Sequence, residues 1–382
     1  MSDKIKQEFI TSNDIRKMID KYEPQYIMLI SARNDGKSYA VKRTCLEDYW
    51  TRGEEFCYLR RYEIDLKRVD PAQYWDDFLH PVNVFEEITK GEYSGIRTGQ
   101  NRAELRLTRK GEDGKIEESE RIAHVHALSV ARSYKSIQFP KVQNILYEEF
   151  VTDSAYLYDE PKKLMNYVST IFRRRNGRVF LVGNTITRLN PYFREWQLTN
   201  FNKMVPGQVD IYDHKWTDEN GTESNTRILL HIPDVTGKQG IKGMFFGSAA
   251  NMIAGQKWDS SEQPHLIGKV SEYNTIYQLV FYYDNNASFL MRLLQHRTHP
   301  DRVLWYVEPK TTDIMDGTRL ISPTRFFEEF GGLYTDRFRA ISTAEQKAFN
   351  ILNNGRIAYS DNLTGTEFQR ALRMMRIRDQ GE

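Results

Sequence analysis

Short runs of apolar residues alternate with longer stretches of mixed polarity in the first half of the chain. The runs at 26–30, 56–59, 145–147 and 179–182 have the length of buried strands. A helix is expected after the first of these runs, from about residue 38, and another between the last two, around 163–174. Strands that alternate with helices in this way are typical of an open α/β sheet.

A hairpin is predicted within the first half. The segments 105–109 and 115–119 flank a short glycine-containing stretch at 111–114, which favours two antiparallel strands joined by a turn.

The pattern changes near Val235, where a glycine-rich stretch begins. Five glycines lie between 237 and 255, which indicates a hinge or a connecting module. Beyond this stretch we expect consecutive strands at 276–283, 288–293 and 303–307, and then helices at about 342–353 and 365–376. The chain is therefore predicted to have a first α/β domain at 1–235, a connecting module at 236–265 and a smaller α+β domain at 266–382.

Composition and charge exclude several classes of protein. The chain has 382 residues, of which 40% are hydrophobic, enough to form the cores of two domains. With 54 basic and 52 acidic residues its net charge is +2, so it does not coat nucleic acid by bulk charge. No apolar run approaches the length of a bilayer span, and we expect neither a membrane protein nor a secreted one. Two cysteines, Cys45 and Cys57, favour a reducing compartment over a disulfide framework.

The most specific motif follows the strand at 26–30. It fits the phosphate-binding loop G-x-x-x-x-G-K-[ST], except that a serine replaces the first glycine. Its residues are Ser31, Ala32, Arg33, Asn34, Asp35, Gly36, Lys37 and Ser38.

Each part of this loop has a physical task. The backbone N–H groups and the positive end of the following helix surround phosphate, and Gly36 permits the close approach of the backbone. Lys37 would reach the β- and γ-phosphates, and the Ser38 hydroxyl would bind Mg²⁺. Arg33 either contacts phosphate or faces solvent, and the sequence leaves both alternatives open. We therefore predict a nucleotide site.

Two carboxylates complete the predicted site. The apolar strand at 145–147 ends in Glu148 and Glu149. In open sheets, ligands bind at the carboxyl ends of the strands. Glu148 would hold the metal directly or through water, and Glu149 would polarise an attacking water molecule. Alone the pair would be interpreted as solvated glutamates, but beside a phosphate-binding loop we prefer a hydrolytic site.

Taken together, these residues resemble the DNA-packaging ATPases, or encapsidation proteins, of small phi29-like phages. The resemblance extends in order from the loop-to-helix sequence at 36–42 to the end of the first domain, and it covers about residues 20–235. The other matching segments lie at 58–62, 128–130, 133–136, 172–173, 184, 190–193 and 231–234.

The resemblance implies an ASCE-type P-loop ATPase that uses ATP and Mg²⁺. Glu149 is then the catalytic glutamate, and Asn184 senses the γ-phosphate. Arg173 is the arginine finger, inserted in trans into the site of a neighbouring subunit, and Lys135 also reaches across that interface. Glu148 stands where the family usually has aspartate, so its contact with the metal is expected to be displaced or mediated by water.

The resemblance also implies partners and a location. The protein would form a homo-oligomeric ring, a pentamer in relatives, and translocate double-stranded viral DNA into a procapsid through its portal or connector. It would act in the host cytoplasm, attached to the procapsid only transiently and absent from the mature virion. Whether a structural RNA takes part is left open.

For the second domain the resemblance implies an RNase H-like fold, a vestigial nuclease that serves in nucleic-acid or procapsid docking. Candidate metal ligands for a nuclease that is still active are Asp284, Glu308, Asp313 and Asp316. Two alternatives remain at this stage. One is a terminase large subunit with an active nuclease, and the other is a non-hydrolysing nucleic-acid-binding protein with a degenerate P-loop.

Overall fold

The computed structural model describes residues 8–99, 102–152, 156–185, 187, 189–217, 221–235, 260–284, 287–323 and 333–378. These residues form two compact units. The first contains the described residues up to Thr185 and those from Lys203 to Val235, and the second contains 189–202 and the residues from 260 onward. Most of the connecting module at 236–265 lies outside the described residues, so the domain boundaries remain predictions.

Within the described part of the first unit, nine strands form one sheet. They are β1 (Tyr26–Ser31), β2 (Glu55–Arg60), β3 (Gly95–Thr98), β4 (Glu104–Lys110), β5 (Ile116–Ala127), β6 (Val142–Glu148), β7 (Arg178–Asn184), β8 (Val209–Thr217) and β9 (Glu223–His231). Each strand that the apolar runs predict in this half is present, and β4 and β5 form the expected hairpin.

Helices connect these strands. They are α1 (Ser12–Tyr22), α2 (Lys37–Arg52), α3 (Glu63–Arg68), α4 (Val84–Thr89) and α5 (Glu160–Phe172), with 3₁₀ helices at Pro71–Phe78 and Leu128–Tyr134. Thr11 and Asp14 cap α1 reciprocally, each side chain accepting a hydrogen bond from the backbone N–H of the other.

The strand order places the predicted site residues at one edge of the sheet. The order is β3-β4-β5-β2-β6-β7-β1-β9-β8, and the strands from β5 to β9 in this order are parallel. Parallel strands covered on both faces consist of nearly continuous apolar residues, as Ile27–Ile30 of β1 do. Strand β7 lies between β1, which leads into the loop, and β6, which ends in the carboxylates. This insertion is the ASCE arrangement.

The core of the first unit packs helices and the Pro71–Phe78 segment against this sheet. Leu29, Leu146 and Phe180 contribute from the strands, and Trp75 and Phe78 from the segment, all of them completely buried. At about 25 cal/mol per Å² of buried apolar surface, aromatic residues of this size each contribute several kcal/mol to folding. The rigid sheet thus holds the strand ends in fixed positions.

The second unit contains a smaller mixed sheet. Its described strands are β10 (Tyr273–Asp284), β11 (Ala287–His296), β12 (Val303–Pro309), β13 (Leu320–Ile321), β14 (Tyr334–Thr335) and β15 (Ile357–Tyr359), and its helices are α6 (Pro191–Glu195), α7 (Thr343–Asn353) and α8 (Asn362–Arg378). A short 3₁₀ helix, Val270–Glu272, precedes β10, and another, Phe201–Lys203, follows α6.

The topology of this second sheet identifies its fold. Its order is β14-β13-β10-β11-β12-β15. Strands β10, β11 and β12 form an antiparallel meander, and β13 and β14 continue the sheet in parallel beyond β10. These five strands have the order of the RNase H-like fold, and β15 adds a sixth strand in parallel beside β12. The core that supports the sheet includes Phe281, Trp305 and Phe368. In the parts of the chain that the structure describes, no helix has the length and apolar character needed to cross a bilayer.

Candidate nucleotide site

The loop between β1 and α2 is packed closely against the segment that precedes α1. Gly36 has a φ of +83° and caps the N-terminus of α2. A Cβ at this position would lie 3.0 Å from Cβ of Phe9 and 3.1 Å from the carbonyl oxygen of Ile10. The backbone N–H of Ile10 also donates to the carbonyl of Asp35, at 3.0 Å. Glycine is therefore required at position 36 both by conformation and by space.

Lys37 is buried at the centre of this loop. Its Nζ donates to the carbonyl oxygens of Ala32, at 2.6 Å, and Ser31, at 3.3 Å. An ammonium group has three N–H donors, so these two contacts leave one for a ligand. Burial, opposed in part by the charge of Asp35, lowers the pKa of Lys37 to about 8. A phosphate beside the ammonium would restore the charged form, so the residues present fit a nucleotide.

The backbone conformation of Ser31 explains why serine is tolerated at the first position of the loop. Ser31 is the last residue of β1 and pairs in register with Asn184, the last residue of β7. Its φ is not among the positive values in the chain, so no glycine is needed. The Oγ of Ser31 is buried and has no hydrogen-bond partner among the described residues. Asn184 is thus beside the loop, where a γ-phosphate sensor is expected.

The other loop residues differ in exposure. Ala32 and Asp35 are buried, Ser38 is partly buried in the first turn of α2, and Arg33 and Asn34 are exposed. Asn34 has a left-handed φ of +68°. Both alternatives for Arg33, contact with phosphate and a position in solvent, therefore stay predictions.

Glu148 and Glu149 follow one another at the carboxyl end of β6 but have different surroundings. The carboxylate of Glu148 is buried and accepts a hydrogen bond from the Tyr58 hydroxyl. The Glu149 side chain is 63% exposed and pairs with Arg60 at 2.7 Å. Glu149 has a left-handed φ of +55° at the point where β6 ends. The Arg60 guanidinium also lies 3.6 Å from the Glu148 carboxylate, so it is close to both side chains.

Arginines at the end of β2 hold the turn after β6. The Arg61 guanidinium donates to the carbonyl oxygens of Glu149, at 3.0 Å, and Phe150, at 2.7 Å. It also pairs at 2.8 Å with Glu160, the fully buried first residue of α5. The Tyr147 hydroxyl donates to the second oxygen of Glu160, at 2.7 Å. The backbone of the candidate catalytic residue is therefore fixed by a buried network.

Arg173 lies far from this edge of the same subunit. It follows α5 and precedes β7, whereas Asn184 is at the opposite end of β7. Seven residues of strand span about 20 Å, so the structure separates Arg173 from the loop by that distance. The Arg173 guanidinium is exposed and donates to the carbonyl of Ile137, at 3.1 Å. Lys135 is exposed two residues before Ile137.

The predicted residues thus divide into two groups. The loop, Asn184, Glu148 and Glu149 come together at the carboxyl edge of the sheet. Arg173 lies at the other end of β7 and contacts Ile137, two residues after Lys135, so the trans roles of Arg173 and Lys135 stay predictions.

In the second unit, the carboxylates proposed for a nuclease do not assemble. Glu308 pairs with Arg292 at 2.8 Å. Asp313 and Asp316 are exposed in the connection between β12 and β13, and the side chain of Asp284 lies outside the described part. Among the residues described, no three or more His, Cys, Asp or Glu side chains are grouped so that they could hold a metal.

Sequence reasoning assigned no role to Tyr58, Arg60, Arg61 or Arg175. The first three were noted only as part of a matching segment. For these three residues, the sequence feature that could have revealed a role is their position at the end of β2, the strand beside β6. Polar side chains at that end of β2 lie next to the residues that follow β6.

The fold and the loop together define a P-loop NTPase fold with a second, RNase H-like unit. The family model described as podovirus DNA encapsidation protein (Gp16) matches residues 13–217, more than half of the chain. The chain belongs to this family.

Individual relatives agree with this assignment. The chain is 32% identical over 211 residues to the DNA packaging protein of Bacillus phage B103, a match that covers 54% of this chain and 53% of that protein. The chain therefore spans about half the length of that relative. The DNA packaging protein of Bacillus phage PZA is 30% identical over 257 residues, or 63% of this chain and 70% of that protein.

A solved structure extends the likeness in fold to the whole chain. A chain of the bacteriophage Phi-29 viral genome packaging motor assembly aligns with 96% of this chain and 99% of its own length, at 21% identity and a TM-score of 0.50. At this identity the comparison supports the two-unit fold alone.

Proposed function

We propose that this protein is the ATPase subunit of a phage DNA-packaging motor, which couples ATP hydrolysis to the translocation of double-stranded DNA into a procapsid. The observation that carries the proposal is the convergence of Lys37, Asn184, Glu148 and Glu149 at one edge of an ASCE-type sheet. Membership of the encapsidation family supports the choice of DNA packaging among the many tasks that P-loop ATPases perform.

Each residue of this edge has a defined task in hydrolysis. The loop backbone and Lys37 hold the phosphates, with Lys37 already directed inward by its two carbonyl contacts. Ser38 and Glu148 would hold Mg²⁺, which offsets the negative charge of the phosphates. Glu149 accepts a proton from the attacking water, and its exposed carboxylate has room for that water. Asn184 contacts the γ-phosphate from β7.

The remaining positive charge comes from a neighbouring subunit. Arg173 and Lys135 are exposed, and Arg173 lies at the opposite end of β7 from the loop, which fits the role of groups inserted in trans into the next site of a ring. A guanidinium placed there stabilises charge that develops only in the transition state. Hydrolysis would then depend on the packing of subunits around the DNA.

The partners follow from the same proposal. A motor that moves any sequence contacts DNA mainly through phosphates, so its binding depends strongly on salt. We expect a homo-oligomeric ring that docks on the procapsid portal in the host cytoplasm and leaves before the virion matures. Among the described residues no three or more metal-ligating side chains are grouped, and this favours a docking role for the second unit over a terminase nuclease.

The decisive experiment measures ATP turnover with and without linear double-stranded DNA. We expect DNA-stimulated turnover in the wild type and its loss in Lys37→Ala and Glu149→Gln. Matched controls are Lys115→Ala and Glu120→Gln, because both side chains are exposed on the β4–β5 hairpin or the β5 strand and touch no part of the site. Control variants should keep wild-type turnover.

A different result would support the non-hydrolysing alternative. If the wild type binds DNA but hydrolyses no more ATP than Lys37→Ala, at any protein concentration, the proposed ATPase function is wrong.

A further inference from the structure

Three consecutive arginines follow α5, and their surroundings differ. Arg173 and Arg174 are exposed, whereas Arg175 is partly buried. Among the described residues, the Arg174 side chain makes no hydrogen bond or ion pair, while Arg175 is the most heavily hydrogen-bonded of the three. Of these three arginines, Arg175 is therefore the one whose contacts are clearly structural.

The Arg175 guanidinium joins two parts of the chain. One nitrogen donates to the carbonyl oxygens of Pro140 and Val142, both at 2.8 Å. The other donates to Phe139, at 2.7 Å, and to Ile171 in the last turn of α5, at 3.0 Å. Four backbone carbonyls are thus held by a single side chain, three of them in the segment that follows Lys135.

The contact of the Arg175 guanidinium with these four carbonyls, called the joint below, fixes the backbone around the two residues proposed to act in trans. Arg173 is two residues before Arg175 and has an unusual backbone, with φ of +53° and ψ of −113°. Its own guanidinium reaches the carbonyl of Ile137, two residues beyond Lys135. The positions of Arg173 and Lys135 relative to each other are therefore set by the contact between the end of α5 and residues 137–142.

Packing beneath the joint leaves it little freedom. The ring of Phe172 lies over Gly177, where an added Cβ would overlap the ring. Phe139 is buried against the ring of His126, which in turn stacks on Tyr134 with centroids 3.9 Å apart. Burial lowers the pKa of His126 to about 3, so this cluster is neutral and keeps its packing at physiological pH.

We propose that Arg175 is a positioning residue for trans catalysis, which holds Arg173 and Lys135 in the one arrangement that fits the site of a neighbouring copy. This inference rests on the proposed function, because it requires Arg173 to act on another subunit. Lysine cannot replace Arg175, since an ammonium has three donors on one atom and cannot span four carbonyls in a plane.

The first test compares Arg175→Ala and Arg175→Lys with Arg174→Ala. We expect both Arg175 variants to lower DNA-stimulated kcat by about 10²-fold, the loss typical of a misplaced catalytic group, and Arg174→Ala to keep wild-type kcat. Affinity for ATP, measured by equilibrium binding to the isolated subunit, should not change in any variant, because the subunit's own loop is intact. That binding also confirms that the variants are folded.

The second test distinguishes positioning in trans from a general loss of structure. An Arg175→Ala subunit has an intact loop and Glu149, while a Glu149→Gln subunit has an intact trans group. When the two inactive variants are mixed in equal amounts, some interfaces combine an intact Glu149 from one subunit with an intact trans group from the next. For random assembly in a ring of heterologous contacts, about a quarter of all interfaces have this combination. We expect turnover to recover toward that fraction.

Arg173→Ala mixed with Glu149→Gln serves as the reference. If that mixture recovers turnover and the Arg175→Ala mixture does not, Arg175 is not a positioning residue and the inference fails while the proposed function stands. If neither mixture recovers, the trans arrangement is wrong and the inference fails with it, whereas the ATPase function is judged separately by the turnover of the wild type and Lys37→Ala. Loss of kcat in Arg174→Ala equal to that in Arg175→Ala would also overturn the inference.

Discussion

Carboxylates at strand ends occur in both units, and the comparison shows what makes such residues a site. Glu149 follows β6 in the first unit, and Glu308 lies near the end of β12 in the second. Each pairs with an arginine of a neighbouring strand, at 2.7 Å to Arg60 and 2.8 Å to Arg292. The ion pair therefore does not distinguish them. Glu149 differs because a phosphate-binding loop ends two strands away at the same edge.

The largest expected effect is a difference in kcat between variants of Glu149 and Glu308. Glu149→Gln should lower kcat by about 10²–10⁴-fold, because it removes a general base while preserving shape. Glu308→Gln should leave kcat unchanged. Single-turnover hydrolysis measures both, and ATP binding should remain in each variant. Equal losses in the two variants would mean that the second unit participates in the reaction and that the comparison is wrong.

The second expected effect is a difference in stability when the buried arginine–glutamate pair of the first unit or the partly exposed pair of the second is broken. Arg61 and Glu160 are both buried, whereas Arg292 and Glu308 are partly exposed. Arg61→Met leaves the Glu160 charge buried and should lower local stability by about 3 kcal/mol. Arg292→Met should cost less than about 1 kcal/mol.

Hydrogen exchange measured by mass spectrometry, peptide by peptide, gives the free energy of opening in each sheet. Protection should fall in β6 and α5 for Arg61→Met and remain nearly unchanged in β11 and β12 for Arg292→Met. A larger loss in the second sheet would contradict the expectation.

The buried lysine of the loop should make nucleotide binding depend on pH. Before binding, the pKa of Lys37 is about 8. Phosphate favours the charged form and raises that pKa, so binding at pH 8 should take up roughly half a proton, and affinity should fall as the pH rises above 8. Calorimetry in buffers of different ionisation enthalpy measures this uptake. Lys37→Arg is the control, because arginine stays protonated throughout; equal uptake in that variant would assign the proton elsewhere.

The smallest effect concerns the unusual first residue of the loop. Since the Ser31 Oγ is buried without a partner among the described residues, Ser31→Ala should be neutral or stabilise the protein by up to about 1 kcal/mol. The same exchange measurement, applied to β1, checks this. A clear loss of protection in β1 would show that the hydroxyl has a role in the free protein.

Sequence reasoning located the elements with strong local signals and missed those without them. The strand-loop-helix at β1 and α2 was predicted because the motif has a defined geometry. Strand β8 was not, because its residues are partly or fully exposed and of mixed polarity. The position of β7 between β1 and β6 followed only from the resemblance, which implies an ASCE-type fold, because spacing along the chain does not determine the order of parallel strands.

The same limit applies to the site. Lys37 and Glu149 follow from motifs, but the contacts of Arg61 and Arg175 join residues that are far apart in the chain. Such contacts depend on the fold, and a single sequence does not reveal them.

The residues at the two ends of helix α5 have different roles. Its first residue, Glu160, is bound to the arginine that holds the turn of Glu149, and Arg173 follows its last residue. Thirteen residues of helix form a stiff rod about 20 Å long. Under the proposed function, a shift of the turn on nucleotide binding or product release would be carried along this helix to Arg173, the arginine proposed to enter the next site. A single helix would then link the nucleotide state of one site to hydrolysis in its neighbour, and so set the order in which the subunits of a ring hydrolyse ATP.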